Sequence, residues 1–146
     1  MKKLEKIYGL RMPMARRWLN SKFRIWGGSS SWFQQEMRRI SVFEDTRLAN
    51  IFGDYLGIPS NLIEIGVHSL LTAPPHNDRA EYWYARSFFY VIRAPSGSYI
   101  ENEKGKKVFL EANCLYVFNQ FVEHWVCNEG SVIELLTISH MKKVMT

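Results

Sequence analysis

The sequence has few cysteines and no long apolar run, and each shortage excludes a class of protein. Its 146 residues include two cysteines, Cys114 and Cys127, too few for the disulfide framework of a small secreted domain. Every apolar run falls far short of the ~20 residues that a membrane-spanning helix needs. The charged N-terminus is not followed by the apolar segment of a secretory signal. We therefore expect a cytoplasmic protein without a membrane segment, in which both cysteines are reduced and buried.

Apolar and aromatic side chains are plentiful, whereas positive charge is concentrated at one end. The chain is 47% hydrophobic and 14% aromatic, enough to bury the core of one domain. Residues 1–50 carry 11 Lys and Arg against 4 Asp and Glu, a balance of +7, and residues 51–146 carry 8 against 10, a balance of −2. Tryptophans are interleaved with these arginines at Trp18, Trp26 and Trp32. This basic end indicates either a surface for nucleic acid or an acidic protein, or a solvated helical face.

Helical periodicity dominates up to about residue 60. We predict a short helix over residues 14–20 and a second over 31–39, where Ser31 and Gln34 form a capping-box pattern. The clearest helix starts at Asp45 or Thr46 and ends at Gly57. Its apolar positions recur at helical spacing, and they are Leu48, Ile51, Phe52, Tyr55 and Leu56. We expect residues 1–60 to form a basic helical segment that packs on a sheet made by residues 61–146, within one structural domain.

From residue 61 to about 139 the pattern is that of strands with no helix between them. Residues 82–93 are apolar on both faces, which is typical of a strand in the middle of a sheet covered on both sides. Residues 102–105 read Asn-Glu-Lys-Gly, a hairpin turn. Six or seven short strands without crossover helices exclude a parallel βαβ sheet. We therefore predict a mainly β, α+β fold, an antiparallel double sheet of jelly-roll or barrel type packed against helices, whose exposed edges favour a homodimer.

Two histidines and a carboxylate stand at a spacing that could hold a metal ion. His76 and Asp78 form an H-x-D triplet after a proline pair, and His124 follows 46 residues beyond Asp78. Side chains at i and i+2 of an extended segment point the same way, so the triplet could offer two ligands and a neighbouring strand the third. Two imidazoles and one carboxylate occupy one face of an octahedral ion, as in non-haem iron(II) oxygenases. The spacing alone also fits a surface turn and a hydrogen-bonded strand histidine.

The residues around this triplet and around His124 resemble a known superfamily. They are a proline-flanked H-x-D, an arginine-bearing apolar strand over residues 84–95, and a hydrophobic strand that leads through Phe118 and a polar turn to His124. The pattern, over about residues 61–139, is similar to the cupin-like 2-oxoglutarate/iron(II)-dependent oxygenases, in the aspartyl/asparaginyl β-hydroxylase-like branch. The resemblance implies a double-stranded β-helix and a dioxygenase that uses Fe(II) and 2-oxoglutarate to hydroxylate a C–H bond. It also implies that His76, Asp78 and His124 are the metal ligands.

On the strand after the distal histidine, the family commonly has a basic residue, and this basic residue holds the cosubstrate carboxylate. Here residues 131–137 contain none, so we assign Arg86, with Tyr84 beside it and Arg93 as a second choice, to cosubstrate binding. Alternatively, Arg86 pairs with a glutamate across the sheet. Two other functions stay open: an inactive jelly roll that binds nucleic acid or an acidic protein through its basic N-terminus, and a cupin-type lyase or isomerase with another metal.

Overall fold

A computed structural model describes residues 2–6, 24–25, 36–40, 46–77, 84–119, 121–130 and 132–142. Within them the chain forms eleven strands, one α-helix and a 3₁₀ turn. In chain order they are β1 (Lys2–Lys6), β2 (Arg24–Ile25), β3 (Glu36–Ile40), α1 (Thr46–Leu56), the 3₁₀ turn (Ser60–Leu62), β4 (Ile63–Leu70), β5 (Ala73–His76), β6 (Tyr84–Arg93), β7 (Tyr99–Asn102), β8 (Lys107–Phe109), β9 (Cys114–Phe118), β10 (His124–Cys127) and β11 (Ile133–Met141).

The strands form two antiparallel sheets, as the run of strands without crossover helices predicts. The large sheet has the order β1-β9-β6-β11-β4-β3-β2, and the small sheet has the order β5-β10-β7-β8. Strands β6 and β11 pair over almost their whole length at the centre of the large sheet. The predicted jelly-roll sandwich with a helix packed against it is confirmed.

Apolar side chains fill two layers, one on each face of the large sheet. The long strand β6 supplies both layers, since Phe88 and Tyr90 face one side and Phe89 and Val91 the other. The layer between the sheets, here called the inter-sheet layer, consists of Ala73, Phe89, Val91, Ile100, Leu110, Cys114, Tyr116, Val126, Ile133 and Leu135. The helix-side layer packs α1 on the other face through Leu48, Phe52, Ile58, Ile63, Ile65, Phe88, Tyr90, Ile92, Leu115, Leu136 and Ile138. Strand β6 is therefore coated on both faces, as predicted.

Helix α1 confirms the prediction for residues 46–56 and ends as its sequence indicates. Gly57 has a φ of +67°, and the N–H of Ile58 donates to the carbonyl of Gly53 at 3.0 Å. This is the Schellman arrangement, in which a left-handed glycine lets the chain cap the last carbonyls. Leu48 and Phe52 are almost fully buried, whereas Tyr55 is 45% exposed, so the apolar stripe is narrower than its periodicity predicts.

The helix predicted over residues 31–39 is wrong where the structure describes it. Residues 36–40 form β3, which pairs antiparallel with β4, because backbone pairing along a sheet edge outweighs the local helical spacing of a few apolar residues. The helix predicted over 14–20 lies outside the described residues. Residues 2–6 are also a strand, paired with β9. The division of the chain at residue 60 stays a prediction.

The described part of the chain contains no helix with the length and apolar character needed to cross a bilayer. Both cysteines are free thiols. Cys114 is buried in the inter-sheet layer, whereas Cys127 is only half-buried.

Candidate metal centre

Strand β10 lies between β5 and β7 in the small sheet and brings the two predicted histidine ligands together. His124, the first residue of β10, is paired with His76 on one side and with Asn102 on the other. Directly opposed residues of antiparallel strands project from the same face of the sheet. Val126, two residues along β10, belongs to the inter-sheet layer. The side chain of His124 therefore enters the space between the sheets, at the end of that layer.

A bulge in β5 turns His76 to the same face. Ala73 pairs with Val126 and His76 pairs with His124, so three residue steps on β5 match two on β10. In a regular strand Ala73 and His76 would project from opposite faces, because side chains alternate. The extra residue of a β-bulge restores the phase, and prolines at 74 and 75 are tolerated there because a bulge interrupts the ladder. The bulge thus lets His76 face His124.

His124 is held in one tautomer by the backbone. Its side chain is buried, with 7% exposure, and its Nδ1 lies 2.8 Å from the carbonyl oxygen of Val122. A carbonyl only accepts, so Nδ1 carries the hydrogen and donates it. The lone pair of the neutral ring is then on Nε2, which is how a metal-binding histidine is oriented in proteins.

The two imidazole rings have a separation suited to one ion. Their centroids are 4.3 Å apart and the ring planes are inclined at 61°. Two imidazoles that bind one ion side by side, through bonds of about 2.1 Å, place their ring centres roughly 4.5 Å apart. The donor set, two neutral imidazoles, suits zinc, iron, copper or nickel rather than magnesium or calcium. The spacing of the two rings is therefore compatible with both histidines binding one divalent transition metal.

The third predicted ligand, Asp78, lies outside the described residues. Within the part of the chain that the structure describes, no cluster of three His, Cys, Asp or Glu side chains suited to a metal occurs. Asn77 is the last described residue of the triplet and is exposed. The structure thus brings together two of the three predicted ligands, and Asp78 stays a prediction.

Aromatic rings wall the inner side of His124. Phe118 of β9 meets its ring edge at a centroid distance of 5.5 Å. Phe118 in turn packs on Phe89, and Phe89 stacks on Tyr116 at 4.8 Å. Burial raises the pKa of Tyr116 to about 12, and its hydroxyl donates to the carbonyl of Phe109 at 3.1 Å. These rings make the side of His124 that faces the inter-sheet layer apolar.

A cleft of about 230 Å³ opens beside His124 at the end of the small sheet. It is lined by Asn102, Lys104, Lys106, Phe118, Asn119, Val122 and His124. Neither lysine was predicted to belong to the site, because residues 102–105 indicate only a turn. No local pattern places this turn beside His124, since the pairing of β7 with β10 does so.

The residues predicted to bind a cosubstrate lie elsewhere. Arg86 is exposed, and its guanidinium is 5.5 Å from the ring centre of Phe88. In the register of β6 and β11, Arg86 is directly opposite His140. Phe88 belongs to the helix-side layer, so Arg86 is on the face of the large sheet that points away from the histidine pair. Arg93 is 53% exposed and forms a 2.7 Å ion pair with Glu134.

Tyr84 and the two remaining histidines, His68 and His140, are strand positions of the large sheet. Tyr84 is the first residue of β6, where its backbone pairs with Met141. His68 lies in β4. His140 lies in β11, and its Nδ1 is buried with no hydrogen-bond partner among the described residues. Desolvation, with the nearby charge of Arg86, lowers the pKa of His140.

Comparison with known proteins supports the fold. The structure is similar to that of an ethanolamine utilization protein Q from Salmonella typhimurium, with a TM-score of 0.53, 10% identity, and coverage of 84% of this chain and 80% of that chain. The chain has a jelly-roll fold with a helix packed against one sheet. No known protein family matches the sequence, and no curated protein matches it.

Two further solved structures are similar over smaller regions. A cupin-2 domain-containing protein from Shewanella frigidimarina matches with a TM-score of 0.43 and 16% identity, over 55% of this chain and 72% of that chain. A salicylate 1,2-dioxygenase from Pseudoaminobacter salicylatoxidans matches with a TM-score of 0.49 and 14% identity, over 73% of this chain. The matched region is 25% of the dioxygenase chain. With TM-scores below 0.5, these two likenesses say nothing about the chemistry of this chain.

Proposed function

We propose that this chain is a metal-dependent jelly-roll enzyme whose divalent metal is held by His76, His124 and Asp78. The observation that carries the proposal is the state of His124: its Nδ1 donates to the Val122 carbonyl at 2.8 Å, and its ring lies against His76 at 4.3 Å. A buried histidine oriented by a backbone carbonyl, beside a second histidine at the end of an apolar layer, is the arrangement of a metal ligand pair.

The reaction class that we propose is dioxygenation with iron(II). Two imidazoles and one carboxylate leave open coordination positions on iron(II), and the bound ion would supply the activation of dioxygen. The role of the chain is to hold the ligands on β5 and β10 and to exclude water through the wall formed by Phe118, Phe89 and Tyr116.

A dependence on 2-oxoglutarate stays a prediction from the resemblance alone. Arg86 is on the helix-side face of the large sheet, and Arg93 is paired with Glu134, so neither placement supports binding of a carboxylate beside His124. The basic residues at the cleft are Lys104 and Lys106.

Metal binding is the first test. Titration of the protein with Co(II), followed by its visible absorption and by calorimetry, should show one site. His76→Ala, His124→Ala and Asp78→Ala should each weaken it at least about 100-fold, since each removes a ligand. The matched control is His140→Ala, because His140 lies on the helix-side face. Unchanged affinity in His124→Ala, or an equal loss in His140→Ala, would contradict the proposed site.

The choice of reaction is tested with iron(II) under anaerobic conditions. Addition of 2-oxoglutarate should produce a metal-to-ligand charge-transfer band in the native protein and none in Asp78→Ala. Dioxygen consumption on exposure to air should then follow the band. Tight metal binding with no dioxygen consumption under any of these conditions would instead support the lyase or isomerase alternative with another metal in the same ligands.

The basic N-terminal segment gives no second proposal. Most of residues 7–45, including the three tryptophans of that segment, lie outside the described residues. A contact with nucleic acid or an acidic protein therefore stays a prediction of the charge distribution, and so does a homodimer.

A further inference from the structure

We propose that the cleft beside His124 binds the anionic group of a small substrate through Lys104 and Lys106. This inference rests on the proposed function, because it assigns a substrate class to the same site. Its basis is that the two lysines and His124 line one cleft, so a molecule seated there would contact the lysines and a proposed metal ligand together.

The turn that carries the lysines is fixed by Asn102. The side-chain Oδ1 of Asn102 accepts hydrogen bonds of 3.0 Å from the backbone N–H groups of both Lys104 and Lys106. The backbone N–H of Asn102 donates to the carbonyl of Lys106, and Gly105 donates to the carbonyl of Asn102. Gly105 adopts a φ of +77°, as a three-residue hairpin loop requires. Four hydrogen bonds thus close residues 102–106 into one defined hairpin loop.

The same Asn102 sets the position of this loop relative to the metal ligands. It is buried, with 8% exposure, and it is the direct partner of His124 across β7 and β10. A loop anchored on the residue opposite His124 cannot move far from that histidine without breaking the sheet. The backbone of both lysines is therefore held beside the proposed metal ligand His124.

The charge of the cleft favours an anion. Among the residues that the structure describes, its lining includes two lysines and no aspartate or glutamate. Glu103 and Glu123 are nearby, joined by a backbone hydrogen bond of 2.9 Å, but both are exposed and neither lines the cleft. An oxyanion would replace the water around the two ammonium groups with charge-assisted hydrogen bonds.

The size of the cleft and its other lining residues indicate what the rest of the ligand is like. A volume of about 230 Å³ is smaller than a typical drug-sized pocket, so the ligand is a small molecule. Phe118 and Val122 supply an apolar surface, and Asn119 a polar group. The ligand class is therefore a short hydrocarbon body with a terminal oxyanion, which can be a carboxylate or a phosphate.

The test is calorimetric titration of the full chain with succinate and with methyl phosphate, with and without Co(II). The neutral dimethyl ester of succinate is the ligand control. Lys104→Gln and Lys106→Gln should each weaken binding of at least one anion by about fivefold or more, because each removes a charge-assisted contact. Lys107→Gln is the matched control: it removes the same charge one residue away, where the ammonium lies over the Tyr99 ring at 4.2 Å.

The outcomes separate this inference from the proposed function. Binding of succinate or of methyl phosphate that depends on both lysines supports the inference, and the tighter anion identifies the source of the charge. An equal loss in Lys107→Gln would show a general charge effect and overturn it, as would binding of neither anion or equal binding of the ester. Lysine-dependent binding that persists when Co(II) fails to bind would reject the metal centre and leave the anion site standing.

Discussion

Asn102 offers a quantitative test of how the cleft is built. Its Oδ1 accepts two backbone hydrogen bonds, each of 3.0 Å, while the side chain is 8% exposed. A net contribution of about 0.5–1.5 kcal/mol for each bond gives a loss of roughly 1–3 kcal/mol in the free energy of unfolding for Asn102→Ala. Urea denaturation followed by tryptophan fluorescence should show a lower midpoint with an unchanged slope.

Asn102→Asp is the matched control for this prediction. An aspartate keeps both acceptor positions, and its charge strengthens the bonds from the Lys104 and Lys106 amides, so stability should stay near that of the native chain. The new carboxylate would lie beside the two lysines, and anion binding in the cleft should weaken. A loss below about 0.5 kcal/mol in Asn102→Ala, or an equal loss in both variants, would refute the reasoning that these two bonds hold the loop.

Two other predictions concern α1 and the outer face of the large sheet. A Cβ on Gly53 would lie 2.6 Å from the backbone oxygen of Ile58, so Gly53→Ala should cost about 1–3 kcal/mol in urea denaturation. The control is Gly57→Asn, which should change stability little because Gly57 has a left-handed conformation and open space around it. A gain of stability in Gly53→Ala would contradict the close contact with Ile58. Desolvation and the charge of Arg86 lower the pKa of His140 in the folded state. The contribution of this histidine to the free energy of unfolding is therefore fully present above its ordinary pKa of 6.5. It is lost as the pH falls through the lowered pKa, because protonation then favours the unfolded chain. Imidazole NMR should show this depressed pKa and a partial rise in Arg86→Gln, whereas an ordinary pKa in the native chain would exclude the buried environment.

The local sequence was sufficient to predict those elements that the periodicity of apolar residues or a turn residue determines. Apolar residues on both faces of residues 82–93 predicted a central strand, and β6, over Tyr84–Arg93, is one. Helical spacing and Gly57 predicted α1 and its end. The turn at residues 102–105 was also predicted, because Asn and Gly favour the dihedral angles that it needs. The selection of His76 and His124 came from spacing and resemblance, and the structure places their rings 4.3 Å apart.

The tertiary structure decided whatever depends on residues far apart in the chain. Residues 36–40 are a strand because β4 offers an edge to pair with, and no local pattern contains that partner. His76 faces His124 only through the bulge in β5, and Arg86 faces away because the large sheet turns that side of β6 toward α1. The alternation of side chains along a strand is a local property. Which face of the strand encloses the site depends on how the two sheets stack. The stacking is in turn determined by the burial of apolar area across the whole chain.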